Sequence, residues 1–182
     1  VTYCPLTASG INIAADGIEF GNTGGLYNNN MVMYDRETES FWGQMRLGSI
    51  LGNRTGERLR HLPVYQGAWM AWRELYPGTM VLSTNTGYVR NYSGDYYIDS
   101  GYTTSDSYWF WQADTYDTRF HPKEMVLGLL GEQTSRAYLG SSMRDERVIN
   151  DQFEQTEIVV VYEEAARAGF VFDRRVGDRL LS

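Results

Sequence analysis

Alternating apolar and polar positions dominate the first quarter of the chain. Residues 11–20 alternate on both sides of the pair Asp16-Gly17, and residues 31–43 alternate around a polar segment at 36–40. Successive side chains of a strand point to opposite faces of a sheet, so alternation predicts half-buried strands. An Asp-Gly pair between two such runs is a strong hairpin signal. The pattern therefore predicts two antiparallel hairpins in this region.

Further hairpins are predicted in the last third of the chain. Residues 124–131 and 134–139 form one predicted strand pair, residues 148–164 a second, and residues 169–182 a third. Within the second pair, residues 158–162 are an unbroken apolar run, which predicts a central strand.

One short amphipathic helix is predicted at residues 66–76. Trp69, Trp72 and Tyr76 recur at the spacing of one helical face, and the Pro-Gly pair directly after Tyr76 ends the helix. The apolar run at 79–83 then predicts a buried strand.

The predicted architecture is therefore mainly β, with antiparallel hairpins that form a sandwich or an open barrel and a single helix. A length of 182 residues fits one domain, which we assign to residues 1–182. The aromatic residues, which include 14 Tyr and 5 Trp, favour strands over helices.

The two ends of the chain resemble each other. Residues 1–21 and residues 159–180 each contain a tyrosine, Tyr3 or Tyr162, that is followed by apolar residues at the same two offsets. This similarity predicts a repeated β unit of strand, loop, strand, turn and strand.

Residues 84–116 form a long segment that is rich in Tyr, Gly, Ser, Asp and Thr and has no long apolar period. A loop of this length in a compact domain is usually functional. Tyr, Ser, Gly and Asn together with Trp are typical of adaptable binding surfaces. We therefore predict Tyr96 and Trp109 as ligand-binding residues. The alternative is a structural cover over one end of the sandwich.

Charge and cysteine content exclude several classes of protein. The net charge is −7, and phosphate binding needs a basic surface, so no nucleic-acid partner is expected. A single cysteine excludes an internal disulfide and a multi-cysteine zinc site. The chain has no apolar run long enough for a transmembrane helix.

Four side chains around the second predicted hairpin are candidates for ligand binding: Asn30, Asp35, Trp42 and Gln44. Two amides and a carboxylate around an indole face could bind a small polar ligand such as a sugar, or hold an ion through oxygen ligands. The structural alternative is a hairpin corner in which Asp35 caps a turn and Trp42 belongs to the core.

Cys4, Asp117 and His121 are the candidates for a metal site. A Cys-Pro pair at a strand end could present a nucleophile or a soft metal ligand, and Asp and His supply further donors. The alternatives are a small buried residue for Cys4 and an exposed turn at His121. No cofactor is predicted, and the sequence does not exclude a bound metal ion. The sequence has no phosphate-binding loop, nucleophile elbow or recognisable pair of catalytic carboxylates.

Six segments in order resemble the DUF3179 family of bacterial and archaeal proteins: VTYCPLT, LYNNNMVMYDRETESFWGQ, PGTMVLSTNTGY, HPKEMVLGL, RAYL with VIND, and FDRRVGDRLL. The most specific part is the motif LxNxxxVMYDRxTxSxWxQ. The resemblance implies a shared fold and export from the cytoplasm, but no reaction. It also implies that Val1 is not the native start and that an N-terminal part is missing. Thr7 stands where many members have a second cysteine, which argues against a dithiol role.

The expected function is that of an exported, extracytoplasmic protein that binds partners without catalysis. It would be an accessory or structural subunit of a cell-envelope assembly, with other protein subunits as partners. The alternative is a metal-binding protein or enzyme with its site around Cys4 and Asp35.

Overall fold

The computed structural model describes residues 1–107 and 117–181. Within these residues the fold is mainly β and its strands pair antiparallel, as the alternation predicted; the sheets form no closed barrel. The strands are β1 (Thr2–Cys4), β2 (Ser9–Ile13), β3 (Phe20–Tyr27), β4 (Asn30–Asp35), β5 (Phe41–Gly43), β6 (Gly48–Leu51), β7 (His61–Leu62), β8 (Val126–Leu130), β9 (Ser135–Leu139), β10 (Val148–Phe153), β11 (Thr156–Glu163), β12 (Ala168–Asp173), β13 (Arg175–Val176) and β14 (Arg179–Leu180).

Contacts between Cα atoms divide the chain into two compact units. Unit 1 contains Val1–Val64 and Ser93–Lys123, and unit 2 contains Tyr65–Tyr92 and Glu124–Ser182. This division does not test whether residues 1–182 form one domain, so that assignment stays a prediction.

Unit 1 contains two sheets, with strand orders β1-β2-β7 and β3-β4-β5-β6. Its core contains the buried side chains of Met33, Trp42, Leu47 and Leu59. The ring of Phe20 packs edge-on against Trp42 with centroids 5.8 Å apart. The predicted hairpin at residues 31–43 is confirmed as the β4–β5 pair, in which Met33 lies opposite Trp42.

The predicted hairpin around Asp16-Gly17 is wrong in its pairing. Both residues adopt the positive φ angles that a tight turn requires, 47° and 89°. The strands on either side, however, belong to different sheets. β2 already pairs with β1 on one edge and β7 on the other, so it has no free edge for β3.

A two-residue turn joins β3 to β4. Asn28 and Asn29 have φ angles of 47° and 61°, and Tyr27 pairs with Asn30 across the turn. Asparagine tolerates left-handed backbone better than most residues, because its short side chain can bond locally. This turn fixes the register that places Leu26 opposite Met31.

Unit 2 contains the sheet β10-β11-β12 and two strand pairs, β8-β9 and β13-β14. β11 is central, as its apolar run predicted, and it buries Ile158, Val160 and Tyr162 on one face. Tyr138 and Met143 complete this core. Two of the three hairpins predicted for the last third of the chain are confirmed, as the pairs β8–β9 and β10–β11. The third, predicted for residues 169–182, forms only as the short β13–β14 pair, because β12 pairs with β11 instead.

The two ends of the chain form hairpins of the same design. Tyr3 pairs with Gly10 in the β1–β2 hairpin, and Tyr162 pairs with Gly169 in the β11–β12 hairpin. Each turn has four residues, and the last of them has a positive φ: 46° at Ala8 and 49° at Arg167. The β5–β6 turn has the same length and the same feature at its last residue. The repeat of residues 1–21 in 159–180 stays a prediction that this geometry favours.

The predicted helix is present but shorter than expected. It is α1 (Trp69–Leu75), and none of its residues is buried. The strand predicted at 79–83 is wrong, because within the described residues no strand pairs with this run, and Met80 and Leu82 are 93% and 97% exposed. An apolar run forms a strand only where another backbone edge accepts its hydrogen bonds.

Three helical segments were not predicted. They are α2 (Tyr96–Asp99), a 3₁₀ turn (Tyr102–Thr104) and α3 (Gly140–Asp145). The first two lie in the Tyr-rich segment and contribute to the site. Among the described residues, the helices are all too short or too polar to cross a lipid bilayer.

Candidate functional site

Asp35 is the fully buried centre of a polar corner at the end of β4. One carboxylate oxygen, Oδ2, accepts a hydrogen bond of 2.9 Å from the indole Nε1 of Trp42. The other, Oδ1, accepts one of 2.6 Å from the backbone N of Thr38. The Thr38 hydroxyl lies 2.9 Å from both oxygens and 2.7 Å from the hydroxyl of Ser40.

This environment favours the ionised form of Asp35. Burial raises the pKa of the carboxyl group. Hydrogen bonds from Trp42 and from the backbone and side chain of Thr38, together with the positive charge of Arg54, outweigh that effect. The pKa of Asp35 is therefore held below its usual value, because several donors stabilise the charged form.

Asn30 and Gln44 form a second buried network, which joins the β1–β2 hairpin to the strands of the other sheet. The side-chain nitrogen of Asn30 donates to Oε1 of Gln44 at 2.7 Å and to the hydroxyl of Thr7 at 2.9 Å. Nε2 of Gln44 donates to the hydroxyl of Thr2 and to the backbone oxygen of Ser9. Oδ1 of Asn30 accepts from the backbone N of Met45, so each amide uses both its donor and its acceptor within unit 1.

The four candidate residues of this region therefore hold the fold of unit 1 together. Asp35 and Gln44 have no exposed surface, and Asn30 and Trp42 are buried. Their hydrogen-bonding atoms are occupied by protein partners, and none of the four lines a cavity described below. Their role in ligand binding stays a prediction that this geometry does not favour.

A cavity with a volume of about 740 Å³ lies in unit 1, beside the corner and not in it. Three tyrosines line it: Tyr3, Tyr96 and Tyr97. Its apolar lining includes Cys4, Leu26 and Met31, and Pro5 and Leu6 also line it. A cavity of this size, lined by aromatic and apolar groups, is typical of a small-molecule site.

A bulge in β3 gives the cavity one wall. The register of β3 against β4 shifts between Asn22 and Leu26, and Gly24 has a φ of 74°. Asn22 stabilises the bulge by accepting a hydrogen bond of 2.9 Å from the backbone N of Gly24. Bulges re-aim side chains and are common beside functional sites. Here the bulge brings two glycines, Gly24 and Gly25, to the cavity wall.

The helix α2 supplies the aromatic wall. Asp95 caps its N-terminus by accepting hydrogen bonds from the backbone N of Tyr97 and of Ile98. The rings of Tyr96 and Tyr97 are 5.8 Å apart and nearly perpendicular, at 78°. Tyr102 continues the cluster 5.9 Å from Tyr97, and its hydroxyl donates to the backbone oxygen of Leu6.

The phenol of Tyr97 is held in its neutral form. Burial raises the pKa of Tyr97, and the negative charges that Cys4, Tyr96 and Asp95 carry when ionised raise it further. A phenol with its ordinary pKa is already neutral at pH 7, so the raised pKa extends the neutral form of Tyr97 to higher pH.

The candidate metal ligands are not brought together. Cys4 is 2% exposed and lies in the cavity lining as a free thiol. The carboxylate of Asp117 is paired with Arg119, and this pairing lowers the pKa of Asp117 to about 2. Nε2 of His121 lies 2.8 Å from Oδ1 of Asp106. Within residues 1–107 and 117–181, no three metal-ligating side chains lie close enough to hold an ion.

Of the predicted site residues, the structure thus assigns Tyr96 and Cys4 to the cavity. Trp109 lies outside the described residues. Tyr3, Tyr97, Leu26 and Met31 are cavity residues that the sequence analysis missed. The Asn28-Asn29 turn could have identified the pairing of Leu26 with Met31, because it fixes the register. Nothing local in the sequence indicates that Tyr3 lies near Tyr97.

No curated protein and no solved structure matches this chain. The family comparison gives one match, to the family described as "Protein of unknown function (DUF3179)". The match covers residues 1–182, and the chain therefore belongs to the DUF3179 family.

Proposed function

We propose that this chain is an exported, non-enzymatic binding protein whose ligand site is the tyrosine-lined cavity of unit 1. The observation that carries the proposal is the cavity itself, with its volume of about 740 Å³ and its aromatic and apolar lining. Ligand sites are typically concave and largely apolar, with few polar groups that fix orientation. The hydroxyls of Tyr3, Tyr96 and Tyr97 are polar groups of this kind.

Ordered elements support the walls of this cavity. The β1–β2 hairpin carries Tyr3 and Cys4, and the Asn30–Gln44 network fixes it to the neighbouring sheet. The hydrogen bond from Tyr102 to Leu6 fixes the turn after β1 to the Tyr-rich segment. A site built on such supports binds with a smaller loss of conformational entropy.

We also propose that the chain binds other protein subunits as an accessory component of a cell-envelope assembly. Support comes from α1 and the segment that follows it, where Trp69, Trp72, Leu75, Met80 and Leu82 are exposed. Contiguous exposed apolar residues are typical of protein interaction surfaces. The location outside the cytoplasm rests on the family resemblance.

The alternative of an enzyme or metal-binding protein around Cys4 and Asp35 has less support. Cys4 lines the cavity, whereas the oxygens of Asp35 accept hydrogen bonds from Trp42 and Thr38 inside the corner. This difference in surroundings favours the binding proposal over a joint site of Cys4 and Asp35.

Thermal unfolding in the presence of small molecules tests the ligand proposal. The panel should contain sugars, amino acids, aromatic acids and amines. A ligand at 100 times its Kd stabilises the folded state by about 2.7 kcal/mol, which corresponds to a rise in Tm of roughly 5–10 °C. We expect at least one class to produce such a shift, and Tyr96→Ala to abolish it.

Tyr88→Ala is the matched control for this experiment. Tyr88 and Tyr96 are exposed to nearly the same extent, 73% and 71%, but only Tyr96 lines the cavity. A shift that both variants lose equally, or no shift with any class, would contradict the proposal. Fractionation of the native cells tests export separately, and a cytoplasmic protein would contradict that part.

A further inference from the structure

We propose, on the basis of the function proposed above, that the cavity takes an organic cation of the quaternary ammonium class. Three of its lining residues are tyrosines, Tyr3, Tyr96 and Tyr97. An aromatic face carries partial negative charge and attracts a cation within about 6 Å of the ring centroid. Cages of several aromatic rings are the usual protein sites for quaternary ammonium groups.

The charges around the cavity also suit a cation. Among the described residues that line it, none is an arginine, lysine or histidine that would repel a cation. Asp95 caps the N-terminus of α2 and Asp99 is its last residue, so both belong to the helix that carries Tyr96 and Tyr97. Asp95 lies close enough to influence the ionisation of Tyr97, so its negative potential reaches the aromatic wall. The whole chain has a net charge of −7.

The remaining lining distinguishes a quaternary ammonium group from a primary amine. A primary ammonium group has three N–H donors, which need acceptors when water is removed. Cys4, Leu26 and Met31 offer apolar and polarisable surface instead. A trimethylammonium group has no donors and spreads its charge over its methyl groups, so this lining can replace its hydration shell.

The same aromatic cluster already contacts one cation within the protein. The Lys123 ammonium nitrogen lies 3.8 Å from the ring centroid of Tyr102, whose ring packs against Tyr97. Lys123 also donates to the backbone oxygen of Ser107. Tyr102 is buried and does not itself line the cavity, so this contact is a precedent for cation binding by a ring that packs against the cavity residue Tyr97.

Titration calorimetry with two isosteric probes tests the charge requirement. The first probe is choline, and the second is its neutral carbon isostere, in which a tert-butyl group replaces the trimethylammonium group. The two have nearly the same shape, so a difference in Kd reports the charge. We expect choline to bind at least about tenfold more tightly than the isostere, since a desolvated cation–π contact has that magnitude.

Substitutions of Tyr96 connect this preference to the aromatic wall. Tyr96→Phe retains a ring face, so we expect it to retain most of the preference for choline. Tyr96→Leu removes the ring, and we expect it to weaken choline binding at least fivefold while it leaves the isostere nearly unchanged. Tyr88→Leu, at an equally exposed position away from the cavity, should bind both probes as the wild type does.

The outcomes separate this inference from the proposed function. Equal binding of both probes would overturn the cation assignment and leave the cavity as a ligand site. The absence of binding to either probe would also overturn the cation assignment, and the wider thermal panel would then decide the proposed function on its own. Preference for choline that Tyr96→Leu leaves intact would locate the cation elsewhere and overturn the assignment to this cavity.

Discussion

The buried corner and the tyrosine-lined cavity are adjacent parts of unit 1 with opposite chemistry. In the corner, Asp35, Trp42 and their neighbours satisfy one another completely, and little surface is left for a ligand. In the cavity, Tyr3 and Tyr96 retain much of their exposed surface around an open space. Polar residues in a distinctive motif can therefore be structural, because a buried polar group must find partners inside the protein.

The largest effect is expected from Asp35→Ala in the corner. The substitution leaves the indole N–H of Trp42 and the backbone N–H of Thr38 without their acceptor, and each unsatisfied buried donor costs about 1–3 kcal/mol. We expect a loss of roughly 3–4 kcal/mol in the free energy of unfolding, measured by urea denaturation.

Asp16→Ala is the control for that prediction. Asp16 pairs with Arg60, and its side chain is 70% exposed. An exposed ion pair contributes roughly 0–1 kcal/mol, and alanine at the φ of 47° found at Asp16 costs roughly 1 kcal/mol more, so this variant should lose clearly less stability than Asp35→Ala. If Asp35→Ala and Asp16→Ala had equal effects, the corner would not be the structural centre that its contacts indicate.

Gln44→Ala should have the next largest effect. It removes the acceptor of Asn30 and the donor to Thr2, and it opens a small cavity at a position with no exposed surface. We expect a loss of roughly 2–3 kcal/mol by the same denaturation experiment. Gln152→Ala, on an exposed face of β10, should change stability by less than about 0.5 kcal/mol.

A smaller effect of the corner should appear in the pH dependence of stability. The folded state lowers the pKa of Asp35 below its usual value of 3.8. A carboxyl group with a depressed folded pKa stabilises the protein above its unfolded pKa, and this contribution is lost as the pH falls through the folded pKa. Asp35→Asn cannot titrate, so its stability should fall less steeply below about pH 4 than that of the wild type.

Denaturation curves of both proteins at several pH values between about 5 and 2 measure this difference. Asp117 provides an internal comparison, because its pKa is about 2 although its side chain is largely exposed. Asp117→Asn should therefore alter the slope only slightly, since solvent screens its pairing with Arg119. If the free energy of unfolding fell equally with pH in the wild type and in Asp35→Asn, the Asp35 carboxylate would not be the source of the acid sensitivity.

The smallest effect on stability is expected from Tyr96→Ala in the cavity. Its side chain is 71% exposed, so truncation should change the free energy of unfolding by less than about 0.5 kcal/mol. Ligand binding should nevertheless be lost, which sharpens the contrast with the corner. A loss above about 2 kcal/mol would make Tyr96 a structural residue and remove the distinction between the two regions.

The local pattern was sufficient for much of the fold. Alternation predicted the β4–β5 hairpin, and an unbroken apolar run predicted the central strand β11. Helical spacing of Trp69 and Trp72 predicted α1. Each of these features depends on residues close in sequence, so the local pattern of apolar and polar residues is enough to predict it.

The wrong predictions concern strands whose pairing depends on a segment far away in the sequence. The turn at Asp16-Gly17 forms as predicted, yet its flanking strands separate because β7, far along the chain, occupies the free edge of β2. The apolar run at 79–83 has the composition of a strand but no described partner. Strand propensity expresses fit to a neighbouring surface, and sequence alone does not identify that neighbour.

The sequence by itself determined the β class, most hairpins, the acidic charge and the family. Only the tertiary structure decided which polar residues are buried and which tyrosines surround a cavity. The physical reason is that Asp35 and Gln44 obtain their roles from hydrogen bonds, and Tyr3 and Tyr97 obtain theirs from proximity across more than ninety residues of chain. Such contacts form only when the sheets and α2 assemble, so no local pattern records them.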